Sequence, residues 1–449
     1  MLGLLAHAAP ISYRFPLPIW LYVLAGGAAV LLSAPAAALA VRDEPVRERR
    51  GPDLYPYVRR LRLGSLLTAI GTLLVVEGLI GGLFSTTAQS QEFIENPVDV
   101  LTWVDFWVGL GIAAWLVGNV YERVAPLNVA ARAVDRTLAR RGVQPLPYPA
   151  RLGQWPAVAL LLVWSWMELV WAQAKEPRTL ALILLAYMIA TLVGCALYGA
   201  ETWLGNVELF SVLSRTFSRF SPLELRPFVP EEWAVSKQRS ARLRPYGAGL
   251  RTEPPLPDGG AAFVLTALAT VVFDGWSSTD RFATFQEWFW QRWSFLAHHV
   301  SVLQTLSMLA VVALFVGAYL LVTRRHAREL AVTLIPIAAV YFTAHYYTYL
   351  LIAGQATLGV IVDPFGDSWN PFGWGEYPLN TGIVPAGLVW WIQVLLIVWG
   401  HVAAVFAAHR LAVRAWSPTR ALLAQAPLVA LMVGYTVAGL WVLAQQIRA

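Results

Sequence analysis

One cysteine, Cys195, stands in 449 residues. A lone thiol excludes an intramolecular disulfide and a cysteine-rich metal or cluster site. Its apolar surroundings mark it as a small core residue. Charge is scarce too. Asp, Glu, Lys and Arg make up only 13% of the chain, against 57% apolar and aromatic residues and a mean hydropathy of +0.56. That balance excludes an ordinary soluble domain, which carries about twice as much charge. The chain also has no P-loop, Gly-rich nucleotide fingerprint, nucleophile elbow, haem-attachment motif, or metal-ligand spacing of the HExxH, DxD or HxH type. The N-terminal "MLGLLAHAAPISYRFPLPIW" lacks a basic leader and runs straight into a long apolar span, so no cleaved signal peptide is expected.

What the sequence does contain is a series of apolar runs, most of them about 18–25 residues long, enough to cross a bilayer as helices. Ten are expected: Leu17–Val41, Gly64–Phe84, Leu101–Tyr121, Trp155–Gln173, Thr179–Ala200, Gly260–Gly275, Ser301–Val322, Leu330–Ile352, Ile383–Ala407 and Ala421–Gln445. The basic residues test this map. The loops after the odd-numbered spans hold 27 of the 33 Lys and Arg. They include "VRERR", "RTLARR", "SKQRSARLR", "TRRHAR" and "HRLAVR". The opposite loops hold Lys175, Arg178, Arg281 and Arg292. A wrong span count would scramble this alternation. The positive-inside rule then places both termini outside. The expected fold is a single all-α domain, a polytopic bundle of about ten transmembrane helices in a bacterial cytoplasmic membrane. The net charge of +6 reflects this loop bias and predicts no nucleic-acid partner.

Three connecting segments stand out. Residues 201–258 form the longest loop, basic and Pro-rich. They read either as a docking surface or, more simply, as a segment held at anionic lipid. Residues 280–299, "DRFATFQEWFWQRWSFLAHH", read as an amphipathic helix on the outer interface. Residues 362–381 carry Asp363, Asp367 and Glu376 among Gly, Pro and aromatics. They read equally as a cap over a cavity or as an ordinary turn-rich loop.

Ionisable groups inside the membrane are expensive, so they face the bundle interior and usually have a task. The spans carry Glu77, Glu168, Asp274 and His345. On the charge map each lies about 20 Å from the inner surface at 1.5 Å per residue. Asp105 starts its span from the outer side, and Tyr435 has a similar offset to the first four. One polar layer in the outer third of the membrane is therefore expected. Three chemistries suit it. Glu77, Glu168, Asp274 and His345 are ligand types for one or two divalent metal ions, with His298, His299 and Gln304 as further donors. The same groups would serve as a proton or cation relay. The plain structural alternative is that each carboxyl is neutral or hydrogen-bonded as packing glue. His401 lies roughly 27 Å further in than His345, too far to share an ion with it. A structural hydrogen bond is its simpler role, and a solvated interfacial position is that of His409.

Five stretches, "LPIWLYVLAGGAAVLLS", "LTWVDFWVGLGIAAWLVGNV", "LIPIAAVYFTAHYY", "GQATLGVIVDPFGDSWNPFG" and "GIVPAGLVWWIQVLLIVWGHVAAVFAAHR", run in order along most of the chain. Together they resemble the bacterial membrane proteins named fenitrothion hydrolase. The resemblance is densest from Leu334 to Arg410. It implies an integral membrane hydrolase acting on organophosphate triesters, lipophilic molecules that would arrive from the bilayer. It brings no catalytic motif to transfer, and where the family has Gly after the N-terminal His this chain has Ala8, so it assigns no role to His7. On that reading Asp274 joins a metal-activated water, while Asp105 and Gln355 shape substrate entry. The alternatives are a permease for a small solute or cation, and an accessory subunit of a membrane complex.

Overall fold

The computed structural model describes residues 17–41, 51–84, 93–226, 240–296, 299–365, 379–415 and 418–446. Among them the chain is an all-α polytopic membrane protein. The main helices are α1 (Ile19–Ala40), α2 (Leu63–Phe84), α3 (Pro97–Leu116), α4 (Pro126–Arg140), α5 (Trp155–Leu169), α6 (Pro177–Tyr198), α7 (Leu209–Ser218), α8 (Gly260–Ser277), α9 (Asp280–Arg292), α10 (Val300–Thr323), α11 (Ile335–Ala353), α12 (Ala386–Ala415) and α13 (Pro418–Gln446).

Nine described segments are long and apolar enough to cross a bilayer. They coincide with nine of the ten expected spans. The tenth, α5, has 15 residues and stops at Leu169, about 22 Å of helix against a hydrocarbon core of about 30 Å. The chain resumes as a short 3-10 turn at Ala172–Lys175.

Burial separates pillar from periphery. In α11 nearly every side chain is buried, including Pro336, Phe342, His345 and Tyr349. A helix that is apolar all round and enclosed all round belongs at the centre of a bundle. By contrast α2, α6 and α10 are mostly exposed, with Leu73, Ile189, Leu314 and Leu321 pointing outward. In a bilayer that surface meets acyl chains, so exposed leucine is stable there.

Small residues let the helices close. A Cβ added at Gly400 would stand 2.1 Å from Val340 Cγ2, and one at Gly111 would stand 2.3 Å from the Phe342 ring. Glycine at these two points therefore permits α12 and α3 to press against α11.

The 201–258 segment departs from its reading as a loop. It contains α7, whose residues are almost all buried. Phe210 packs edge-on against Trp164 and Trp107, and Phe217 against Phe342. Ten residues with Arg215 among them are too short and too polar to register as a span. The aromatic face nonetheless buries the helix in the bundle. Glu208 caps it, accepting from Ser211 N at 2.7 Å and Phe210 N at 3.2 Å. Two short antiparallel strands follow, β1 (Leu223–Arg226) and β2 (Ser240–Leu243), paired Leu223 to Leu243 and Arg226 to Ser240. Asp53 fastens the pair from another loop by accepting from Ala241 N at 3.0 Å. Residues 227–239 between the strands lie outside the described set.

On the opposite side, α9 begins at Thr279, which accepts from Phe282 N, and only Phe282 on it is buried. Its exposed rings stack in sequence, Phe285 on Trp288 and Phe289 against Trp293. That is the pattern of a helix at an aromatic interfacial belt. His298, Asp367 and Glu376 lie outside the described residues. His299 is exposed and Gln304 is half-buried.

Candidate functional site

The site grows from α11 outward. His345 is fixed from several directions. Gln393 on α12 donates to Ala344 O at 3.0 Å, Tyr347 donates to Val389 O at 2.9 Å, and Trp115 donates to Thr343 Oγ1 at 2.8 Å. These bonds lock the rotation of the pillar and aim His345 at α8. There its Nε2 meets Asp274 Oδ2 at 2.8 Å. Tyr346, the next residue, donates its hydroxyl to the same oxygen at 2.7 Å. Both members of the His–Asp pair are essentially unexposed, Asp274 at 1% and His345 at 2%.

This geometry sets the proton positions. An oxygen that receives two donors is best served by an ionised carboxylate. His345 therefore carries a proton on Nε2. His345 Nδ1 has no hydrogen-bond partner among the described residues, and neither has the buried Tyr341 hydroxyl. The hydroxyl and the imidazole both flank Gly275. A Cβ there would be 3.6 Å from His345 Cε1 and 3.7 Å from Tyr341 Oη.

Glu168 on α5 is buried, lies in the field of Asp274, and has the Trp107 indole beside it. Tyr349, one turn along α11 from His345, lies within electrostatic range of four carboxylates: Asp99, Asp105, Glu168 and Asp274. Lys175, in the turn after α5, acts on both Asp99 and Glu168.

Asp99 was not among the residues singled out from the sequence, where "NPVDVLTW" reads as a helix-entry turn. The signal was present. Asn96 accepts from Val98 N at 3.0 Å and Pro97 takes the first helical position, an N-cap pair that starts the helix ahead of Asp99. Asp99 is fully buried, and neither carboxyl oxygen has a hydrogen-bond partner among the described residues. Beyond it α3 widens to a π-helix over Val100–Val108. Such widening is rare and clusters at functional sites. It carries Asp105, which accepts from Thr357 Oγ1 at 2.6 Å.

The other expected site residues fall elsewhere. Glu77 is half-buried on the peripheral α2, and among the described residues no charged neighbour acts on it. Gln355 holds a loop: its Nε2 donates to Asn380 O at 3.1 Å and its Oε1 accepts from Asn380 N at 3.0 Å. His401 Nδ1 donates to Ile397 O at 2.8 Å within α12, the structural bond expected for it. His409 is buried against Gln425 at 2.7 Å rather than solvated. Tyr435 donates to Phe315 O at 3.2 Å. Among the described residues no three His, Cys, Asp or Glu side chains converge closely enough to hold a metal ion.

No protein-family model, curated protein or solved structure matches this chain. The functional reading is therefore carried by the site itself.

Proposed function

We propose that this chain is a permease of a bacterial cytoplasmic membrane that moves protons, alone or with a small solute, through a buried carboxylate–tyrosine–histidine relay. The observation that carries this reading is the Asp274 carboxylate, which accepts from both His345 Nε2 and Tyr346 Oη inside the bundle. Each residue has a defined task. Asp99 stands just before the π-widened stretch of α3 and Asp105 stands on it, near the end away from the basic loops. Tyr349 lies among Asp99, Asp105, Glu168 and Asp274 and carries a hydroxyl able to donate and accept. A proton taken up at His345 Nδ1 releases the Nε2 proton to Asp274 Oδ2, from which it passes toward Tyr349 and the other carboxylates. A proton needs no cavity wider than a chain of hydrogen bonds. That agrees with the central pair, Asp274 and His345, being only 1–2% exposed. Carboxylates, histidine and tyrosine lining a membrane interior are the usual parts of such a path.

The test is proton flux into liposomes carrying the purified protein, followed with an internal pH dye after a potassium diffusion potential is applied. Wild type is expected to acidify the lumen faster than empty liposomes, and Asp274→Asn to return the rate to that baseline. Equal rates in the two proteins overturn the relay.

A second reading, an ester hydrolase acting on lipophilic triesters from the bilayer, is favoured by one feature, the Nδ1 of an imidazole oriented by a carboxylate, which has no hydrogen-bond partner among the described residues. In that role His345 Nδ1 takes a proton from water, the resulting hydroxide attacks the phosphoryl centre, and the departing aryloxide leaves with its bonding pair. The described donor set does not form a divalent-ion site, so this reading runs through His345 alone. Release of nitrophenol from an aryl phosphotriester, lost in His345→Gln, would move this reading ahead of the relay.

A further inference from the structure

We propose that the basic-loop side of this protein holds a binding site for a phosphate oxyanion, in a cavity walled by Arg123, Arg215, Arg219 and Arg244. The cavity has a volume of about 80 Å³, room for two or three waters at about 30 Å³ each or for one tetrahedral oxyanion. It lies between α7, the β1–β2 pair and the Pro254–Pro257 segment, and none of the relay residues lines it. It goes beyond the relay reading and does not depend on it.

Charge is the first argument. Four guanidinium groups line the space, and among the described residues two carboxylates, Glu122 and Glu253, stand with them. Those carboxylates are already engaged. Glu122 is bridged by Arg215 at 2.5 Å and accepts from Asn119, and Arg132 stands at 3.6 Å. Glu253 is bridged by Arg244 at 2.8 Å and by Arg219 at 3.6 Å. Each of these carboxylates is thus shared between two guanidinium groups in a partly enclosed space, where Coulomb repulsion is poorly screened. The Arg219 guanidinium feels this: burial, then repulsion from Arg215 and Arg244, lower its proton affinity although Glu253 opposes them.

The second argument is an orphan donor. Arg244 is 4% exposed at its side chain. Its Nε donates to Ser221 O at 3.2 Å and its Nη2 to Ser218 O at 2.8 Å. Its Nη1 has no hydrogen-bond partner among the described residues. A buried N–H of a cation left without an acceptor is expensive, and an oxyanion in the cavity supplies that acceptor.

The walls are built to keep this shape. Pro254 O accepts from Arg219 Nη1 at 2.6 Å and fixes that arm. A Cβ at Gly249 would stand 2.5 Å from Arg244 Nη2 and 2.6 Å from Arg219 O, so only glycine lets the two arginines approach here. Guanidinium forks match phosphate oxygens two at a time. Chloride has no such geometry.

The phosphate has two potential sources, a soluble phosphate and the headgroup of a lipid in the adjoining leaflet. Thermal unfolding of the delipidated full chain in detergent separates them. The midpoint is read with inorganic phosphate against chloride at equal ionic strength, and then in nanodiscs of phosphatidylcholine with and without phosphatidic acid. A rise of several degrees with phosphate that is lost in Arg244→Gln identifies a soluble oxyanion. A rise confined to phosphatidic acid and lost in the same variant identifies the lipid headgroup. Arg123→Gln, less buried, gives the same readout should Arg244→Gln fold poorly. No rise in wild type, or an equal rise in wild type and both variants, overturns the site.

Discussion

His345 Nε2 and Asp274 Oδ2 meet at 2.8 Å between helices 71 residues apart in sequence, in a part of the bundle closed to solvent. Neither group is stable there alone. A single uncompensated charge buried this deeply costs several kcal/mol, and removing one partner of a buried pair typically costs about 3–5 kcal/mol. The pair is therefore both a structural joint and the place where a proton can change hands. The contact places a proton on His345 Nε2. Nitrogen-15 NMR of ring-labelled protein should show the His345 proton on Nε2. In Asp274→Asn the acceptor oxygen becomes ambiguous with a donor amide, and the tautomer preference should weaken or invert.

Gly111 tests the packing that frames the site. An added methyl would meet the Phe342 ring at 2.3 Å, and that ring is already held by Trp107, Phe217 and Tyr346. Overpacking of this kind costs about 1–3 kcal/mol. Gly111→Ala should lower the midpoint of unfolding in detergent by several degrees. Gly317→Ala, where nothing stands within 4 Å, should not.

Much of this arrangement was legible in the sequence, for a definite physical reason. Hydrocarbon penalises charge so strongly that Glu168, Asp274 and His345 stood out against their apolar spans, and the structure brings the last two into contact. The span boundaries were legible because length and apolarity are set by the bilayer. Other parts were not. Helix α7 is too short and too polar to register as a span. Its burial depends on which aromatic surfaces of α3 and α5 happen to face it. Glu77 met the same criterion as Glu168, yet it stands on α2, whose place at the periphery is decided by tertiary packing. Asp99 was hidden by a boundary set too late by a few residues. Tyr341 and Tyr349 gave no signal, because tyrosine at a membrane helix is ordinary at the belt and unusual only when buried beside carboxylates.

On the basic-loop side, burial pushes the Glu122 carboxyl up, and Arg215, Arg123 and Arg132 more than reverse this, holding it at about 2 against an ordinary 4.5. The sign is clear. The unfolded chain takes up a proton near 4.5 and the folded chain only near 2. The stabilisation is therefore fully present above about pH 4.5 and is lost as pH falls from there toward 2. A displacement of this size corresponds to roughly 3 kcal/mol. The unfolding midpoint of Glu122→Gln should depend less on pH than that of wild type across this window, and the two curves should run parallel above it.

Glu122 also holds two arginines in place. Deleting its carboxylate leaves Arg215 and Arg132 with less compensation, and Glu122→Ala is expected to destabilise by about 3–5 kcal/mol. The Glu122→Ala/Arg215→Ala double variant should recover part of that loss. Denaturant unfolding of the two singles and the double, read as a cycle, should give a coupling of at least about 1 kcal/mol.

Tyr349 tests the relay most directly, because it lies in the field of all four carboxylates and its hydroxyl is the only group that Tyr349→Phe removes. Proton flux into liposomes should be compared for wild type, Tyr349→Phe and Tyr435→Phe. Tyr435 stacks on Phe315 with ring centroids 4.1 Å apart and serves as the packing control. The account predicts a loss of about tenfold or more in Tyr349→Phe, with Tyr435→Phe close to wild type. Equal flux in Tyr349→Phe and wild type, or no protein-dependent flux at all, would contradict it.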